Sequence, residues 1–293
     1  MNNPSEKKYG KLVFRVSEND ELLPFLMKKM SGISRTKAKG ILASGVVTVD
    51  GQSTTQHNFP VRPGMTVTME RNGGGNMLKN RWVRIVYEDK YLLVVEKRNG
   101  ILSNSIHPGD ETVQKILNRY LENKHLRCHA HTIHRLDRDT SGLMLFAKSK
   151  EIALKFEDDW KGTVYDRRYV ALVHGEMRKS DGTISSWLKD DEHFLTYSSK
   201  TDNGGKFAVT RYKVLKVCEG YSLVELRLET GRKNQIRVHL QDIGYPVVGD
   251  PKYGDGDNSI GRLGLHAYKL CFTHPVNGND MKFETPFPKG FDI

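Results

Sequence analysis

The chain of 293 residues has no apolar run near the roughly 18 residues that a membrane-spanning helix needs, so a bilayer span is not expected. Residues 1–10 are polar and lack the apolar centre of a secretory leader. Cysteine is scarce. Cys128, Cys218 and Cys271 are odd in number and far apart, which argues against a disulfide framework and points to a reducing, cytoplasmic setting. Cofactor fingerprints are missing as well: there is no glycine-rich phosphate loop, no dinucleotide-binding glycine pattern and no H-E-x-x-H zinc helix. Hydrophobic residues make up only 37%, which still suffices for a core in a chain of this length.

Positive charge is what the chain has in excess. Lys and Arg number 46 against 35 acids, a formal charge of +11, which favours a polyanionic partner and above all nucleic acid. The length suits two domains. Residues 71–80, RNGGGNMLKN, hold three successive glycines, whose backbone entropy disfavours any regular element, and a linker is expected there. It separates a small domain, 12–70, from a larger one, 81–293. Residues 1–80 carry twelve Lys and Arg against six acids, so +6 of the net charge lies in about a quarter of the chain.

In the small domain, Ser34 is a good helix N-cap, and Ala38, Ile41 and Leu42 share one face of the helix it would open. Arg35, Lys37 and Lys39 fall elsewhere and are free to face solvent. A β-branched strand follows and ends in the turn signal Asp50-Gly51; Pro63-Gly64 marks another turn before a last strand. The string ISRTKAKGILASGVVTVDGQ with VRPGMTVTM resembles the S4 RNA-binding module. The resemblance implies that Ser34, Arg35, Lys37 and Lys39 face RNA. Glu21-Leu22-Leu23-Pro24 stands where that family has Arg-Leu-Asp, which weakens the sequence case for a first helix.

The larger domain reads as strand-rich. WVRIVYE, YLLVVEK, GLMLFAKS, RYVALVHG, AVTRYKVLKV, YSLVELRLET, QIRVHL, YKLCFTHP and MKFETP all look like strands, and helices are expected only near Val113–Asn123 and over 151–161. Several strands follow one another without a helix, so the fold class is α+β: a small S4-like α/β module followed by a core with a mixed, largely antiparallel sheet.

The densest chemistry is His134-Arg135-Leu136-Asp137-Arg138-Asp139-Thr140-Ser141-Gly142, a polar loop running into an apolar strand, where a rigid sheet presents functional residues. HRLDRDTSGLMLFAKS resembles the signature of the RluA-type pseudouridine synthases, and His134 favours that branch. The resemblance implies that Asp137 is catalytic. YEDKYLLVVEKRNG (87–100) resembles that family's entry segment, with Arg98 in place of its proline. RRYVALVHG resembles the segment that carries an active-site tyrosine, here Tyr169. LETGRKNQIRVHLQDIGYPVVGDPKYG (228–254) resembles the segment whose arginine, here Arg237, pairs with the catalytic aspartate; Lys233-Asn234 replaces the usual Thr-His. RLGLHAYKLCFTHP resembles the closing strand. His134, Thr140, Arg232 and Gln235 complete the set of substrate-contacting residues that these segments imply.

Isomerising uridine breaks its N1–C1′ bond and rejoins the base through C5, with no redox change, so no cofactor is expected. A carboxylate can attack the sugar or the base, or stabilise an oxocarbenium-like species. A guanidinium beside Asp137 is expected to hold its pKa low and fix its orientation. Tyr169 can take part in removing the C5 proton or serve only as a stacking surface. The target uridine must leave its stack, and Arg135 is the candidate to fill the gap, with a plain phosphate contact as the alternative. His125, Cys128, His129, His131 and His134 lie close together, but they lack a second remote pair of zinc-ligand spacing. They read as a basic RNA-facing loop, and no metal is expected. The partner that the resemblance implies is large-subunit ribosomal RNA of the 23S type, with transfer RNA the alternative. No obligate protein partner is evident and a monomer is expected. A non-catalytic RNA-binding or ribosome-assembly factor is the reading from another class.

Overall fold

A computed structural model describes residues 11–30, 33–43, 47–54, 56–70, 78 and 80–293. The expected linker, 71–80, lies outside the described residues except for Leu78 and Asn80. The chain divides into two compact units, residues 1–79 with 85–93, and residues 80–84 with 94–293.

The first unit contains β1 (Lys11–Arg15), β2 (Asp20–Glu21), α1 (Leu22–Lys29), α2 (Arg35–Ala43), β3 (Val47–Val49), β4 (Gln52–Ser53), β5 (Pro60–Val61) and β6 (Thr66–Glu70). A four-stranded sheet runs β1-β6-β3-β4, and β2 pairs with β5. The first helix forms despite Pro24. That residue lies in the first turn, where its missing N–H would have had no intrahelical acceptor, and Leu22, Leu23, Phe25 and Leu26 are buried. In α2 the Ser34 hydroxyl accepts the Lys37 N–H at 3.3 Å, and Ala38 and Leu42 join α1, Val47 and Val67 in the core. Ser34, Arg35, Lys37 and Lys39 are all exposed. Asp50 (φ 48°) and Gly51 (φ 85°) make the tight β3–β4 turn, and Gly64 (φ 94°) follows Pro63 in a turn closed by Met65 N–H on the Arg62 carbonyl.

Next come β7 (Val83–Glu88), β8 (Leu92–Lys97), α3 (Val113–Asn123), β9 (His131–Thr132), β10 (Ser141–Ala147), α4 (Lys150–Asp158), α5 (Trp160–Thr163), β11 (Asp166–His174), β12 (Asp181–Asp190), β13 (Thr196–Ser199), β14 (Lys206–Cys218), β15 (Tyr221–Leu228), α6 (Gln235–Asp242), β16 (Leu265–Thr273) and β17 (Asp280–Glu284). Among the described residues they build one 11-stranded sheet, ordered β13-β12-β14-β15-β11-β16-β10-β8-β7, with β17 on β16 and β9 on β10. The β10–β16 pair is parallel, whereas β11, β12, β14 and β15 pair antiparallel, so the α+β class with a mixed sheet holds.

Two sequence expectations change. The helix expected over 151–161 is two helices, because Asp159 ends α4 and its carboxylate caps α5 through the Gly162 N–H at 2.9 Å. QIRVHL is not a strand: it forms α6. Its apolar–polar alternation imitates a strand with one wet face, yet Gln235, Ile236, Arg237, Val238, His239 and Leu240 are all buried. His239 is held between Ser186 (3.0 Å) and Thr210 (2.8 Å), and burial lowers its pKa to about 4. With none of residues 235–240 in water, their periodicity carries no information about the element.

Gly142 opens β10 at φ +125° against Ala267 of β16. A Cβ there would overlap the Ala267 carbonyl oxygen and amide nitrogen. Gly142→Ala is therefore expected to cost roughly 2–5 kcal/mol, strain and overpacking combined, read as a lower urea midpoint. An unchanged midpoint would refute this close approach.

Candidate active site

The loop 134–140 is held by the end of β8 and by the segment that follows it. Lys97 is fully buried, and its ammonium donates to the carbonyls of Arg98 (2.9 Å), Arg138 (2.7 Å) and Thr140 (2.8 Å). Burial lowers its pKa to about 7 although Asp139 and Asp137 support the charge. Ser103 donates to the Leu136 carbonyl (2.7 Å) and accepts the Leu136 N–H (3.1 Å). The backbone on both sides of Asp137 is thus fixed. Arg98, which stands where a proline was expected, uses its N–H on the Trp82 carbonyl at 2.8 Å, a bond proline cannot make. On the far side, Ser141 lies within 2.6 Å of both Arg262 and His266, and His266 lies 2.8 Å from Thr285.

The loop opens on a cleft of about 500 Å³ lined by His134, Arg135, Asp137, Thr140, Trp160, Arg167, Tyr169, Arg232, Lys233, Asn234, Gln235 and Arg237, among others. Asp137, Tyr169 and Arg237 therefore come together from three distant stretches of chain. Tyr169 enters from β11 at a register shift between Arg168 and Tyr169, an irregularity of the kind that re-aims a side chain. It is buried, and burial raises its pKa.

Arg237 has a different principal partner from the one expected. Its Nε and Nη2 donate to Asp250 Oδ2 and Oδ1 at 2.7 and 2.6 Å, a bidentate pair with a fully buried carboxylate. Asp250 also accepts the N–H groups of Lys252 and Tyr253. The remaining nitrogen, Nη1, lies 3.1 Å from Asn234 Oδ1 and 3.7 Å from Asp137 Oδ2. Burial opposes the guanidinium charge, but the Asp250 bonds more than offset it and Arg237 stays above its usual pKa. The expectation that Arg237 holds the Asp137 pKa low is corrected. Burial raises it, and Arg237, Arg135 and Lys97 only reduce the rise. At 3.7 Å and shared with Asp250, the guanidinium is too weakly engaged to outweigh desolvation.

The other site residues take varied places. His134 accepts the Leu145 N–H on Nε2 at 3.2 Å, packs 5.8 Å from the Trp160 ring, and is pushed by burial to about 3, hence neutral. Its buried Nδ1 has no partner among the described residues. Arg135 is exposed at the rim and Thr140 is buried. The Gln235 amide is used wholly within the protein: Oε1 accepts from Thr230 and the Arg232 N–H, and Nε2 donates to the Val209 carbonyl and Thr210. Asn234 begins α6 at φ 52°, a conformation asparagine tolerates, and its Nδ2 donates to the Tyr253 hydroxyl at 3.1 Å. Lys97, Ser103 and Asp250 were missed in the sequence. Lys97 and Asp250 lay in segments noted for other residues, and nothing in a string of letters marks a lysine or aspartate as buried.

The description "RNA pseudouridylate synthase" belongs to the family that matches residues 91–242. An uncharacterized RNA pseudouridine synthase of Bacillus subtilis, YjbO, is 36% identical over 70% of this chain and 72% of its own length. The ribosomal large subunit pseudouridine synthase D of Pseudomonas aeruginosa is 33% identical over 88% of this chain and 85% of its own. Among solved structures, human RNA pseudouridylate synthase domain containing 1 superposes with a TM-score of 0.58 at 27% identity, covering 72% of this chain and 85% of that one. With its fold, its cleft and these relatives in agreement, the chain belongs to the RNA pseudouridylate synthase family.

Proposed function

We propose that this enzyme isomerises uridine in large-subunit ribosomal RNA with Asp137 as the nucleophile. The observation that carries the reading is the Asp137 carboxylate, half-buried in the cleft, with the Arg237 guanidinium at 3.7 Å and Tyr169 in the same wall. The Asp137 carboxylate bonds to the sugar or the base, the N1–C1′ bond breaks, the base turns, C5 bonds to C1′ as the carboxylate is released, and the proton lost from C5 is balanced by one gained at N1. Tyr169 stacks on the base or assists that proton transfer. Arg135, exposed at the rim, occupies the gap left by the extruded uridine. The large-subunit target rests on the relative from Pseudomonas aeruginosa, whose name carries that substrate. Mapping pseudouridine in ribosomal and transfer RNA from cells with and without the gene tests it: a site lost from the large subunit and restored by wild type, but not by Asp137→Asn, is the expected outcome. A site lost from transfer RNA instead would overturn the substrate.

The first unit is read as an S4-like RNA-binding module, supported by Arg35, Lys37 and Lys39, all exposed on or beside one helix. Replacing all three by Glu is expected to weaken RNA binding and to flatten the plot of log affinity against log salt by about 0.7–0.9 for each phosphate no longer neutralised. An unchanged slope would show that this face does not touch RNA.

A further inference from the structure

The turn between β12 and β13, residues 190–196, carries an exposed aromatic that the fold does not use. Phe194 is 73% exposed, more than any other aromatic among the described exposed hydrophobics. It sits at φ 59°, a backbone conformation that a bulky residue adopts only where its surroundings enforce it. They do so here. The Asp191 carboxylate accepts the N–H groups of His193 and Leu195 at 2.9 and 2.8 Å, and the Asp191 N–H meets the Leu195 carbonyl at 2.9 Å. Phe194 N–H closes the turn on the Asp191 carbonyl at 3.1 Å.

The turn is also fastened to the cleft. Lys233 lines the cleft, and its ammonium donates to the Phe194 carbonyl at 2.7 Å and to Asp190 at 2.9 Å. That ammonium lies 5.9 Å from the centre of the Phe194 ring. Lys233 is one of the two positions where this chain departs from the Thr-His of the resembling family. The departure therefore supplies the tie between the aromatic and the site. Of the acids in the turn, Asp190 pairs with Lys233 and Asp191 accepts two backbone amides, whereas Glu192 is exposed beside His193 at 3.6 Å, so the turn offers RNA its ring and not a phosphate site.

An exposed ring on a backbone held in place, tied by a cleft-lining lysine to a cleft read as the uridine site, is the arrangement that stacks an unpaired base. We propose that Phe194 is a stacking residue for the base of an unpaired nucleotide neighbouring the target uridine, and that Lys233 positions it. The inference rests on the reading of the cleft as the uridine site. It deepens that reading by requiring single-stranded RNA beside the target.

The test uses full-length protein carrying Asp137→Asn, so that binding is read apart from turnover. A fluorescein-labelled oligouridylate of about ten nucleotides is titrated by anisotropy. Adding Phe194→Ala is expected to weaken binding about 5- to 150-fold, the range for removing one base–aromatic stack. Phe194→Tyr keeps the affinity, and Phe194→Leu binds as weakly as Phe194→Ala. Lys233→Met falls between, and 4-thiouridine in the oligonucleotide crosslinks to the peptide that contains residue 194. Unchanged affinity in Phe194→Ala, or full affinity in Phe194→Leu, would overturn the proposal. Failure of the cleft reading shows elsewhere, as turnover by Asp137→Asn alone.

Discussion

Asp137→Asn is expected to abolish pseudouridine formation, to leave RNA affinity intact and to melt no lower than wild type at pH 7. The last result follows from the direction of the Asp137 shift. Burial raises its carboxyl pKa in the folded state above the unfolded value, in spite of Arg237, Arg135 and Lys97. A carboxyl raised in this way contributes stability at low pH that is lost as pH rises through the folded pKa. At neutral pH the ionised group is a net cost, which a neutral amide of the same shape removes. The pH profile of kcat/KM should accordingly show an acid limb above the ordinary aspartate value of about 3.9, since the nucleophile must be ionised. Asp139 is the control: it pairs with Arg138 at 3.5 Å and does not line the cleft, so Asp139→Asn should keep activity. Measurable turnover in Asp137→Asn sinks the assignment, and a markedly lower melting point sinks the electrostatic account.

Asp250→Ala is expected to be the most destabilising of the site variants. It leaves the Arg237 guanidinium buried with Asn234, the Tyr253 ring and a distant Asp137 but no close carboxylate, and breaking such a pair costs roughly 3–5 kcal/mol. Arg237→Met should lose a similar amount, because it strands the Asp250 carboxylate, which has no exposure of its own. The two losses share one cause, so combining Arg237→Met with Asp250→Ala should cost well under their sum. Urea denaturation of the three proteins decides this. Additive losses would mean that the pair is not the structural unit the 2.6 and 2.7 Å bonds describe. Activity falls in both single variants, and in Arg237→Met the acid limb should move upward as Asp137 loses its nearest positive neighbour.

The sequence was informative where an element has one wet face or a special backbone demand. The α2 cap at Ser34, the Asp50-Gly51 turn and the α3 span all follow from such local rules, and each is found in the structure. The alternation over residues 235–240 of α6 misled because the polar residues there are as buried as the apolar ones. Bringing Asp137, Tyr169 and Arg237 into one cleft was readable only through the resemblance, since nothing local links residues so far apart in the chain. The Asp250 fork and the three carbonyls on Lys97 were beyond reach for a different reason. A buried ion shows itself by what surrounds it in space, and in sequence it is one charge among many.

Lys97 and Ser103 hold the backbone around Asp137 before any RNA arrives. The ordering of that loop is thus part of folding and is absent from the association step. RNA binding should show little of the unfavourable entropy that accompanies a disorder-to-order transition in an enzyme loop. What entropic penalty calorimetry does detect should belong to the nucleic acid, in the unstacking of the uridine and its neighbours. Stiffening or loosening the RNA around the target should therefore shift affinity more than any change in the flexibility of the protein.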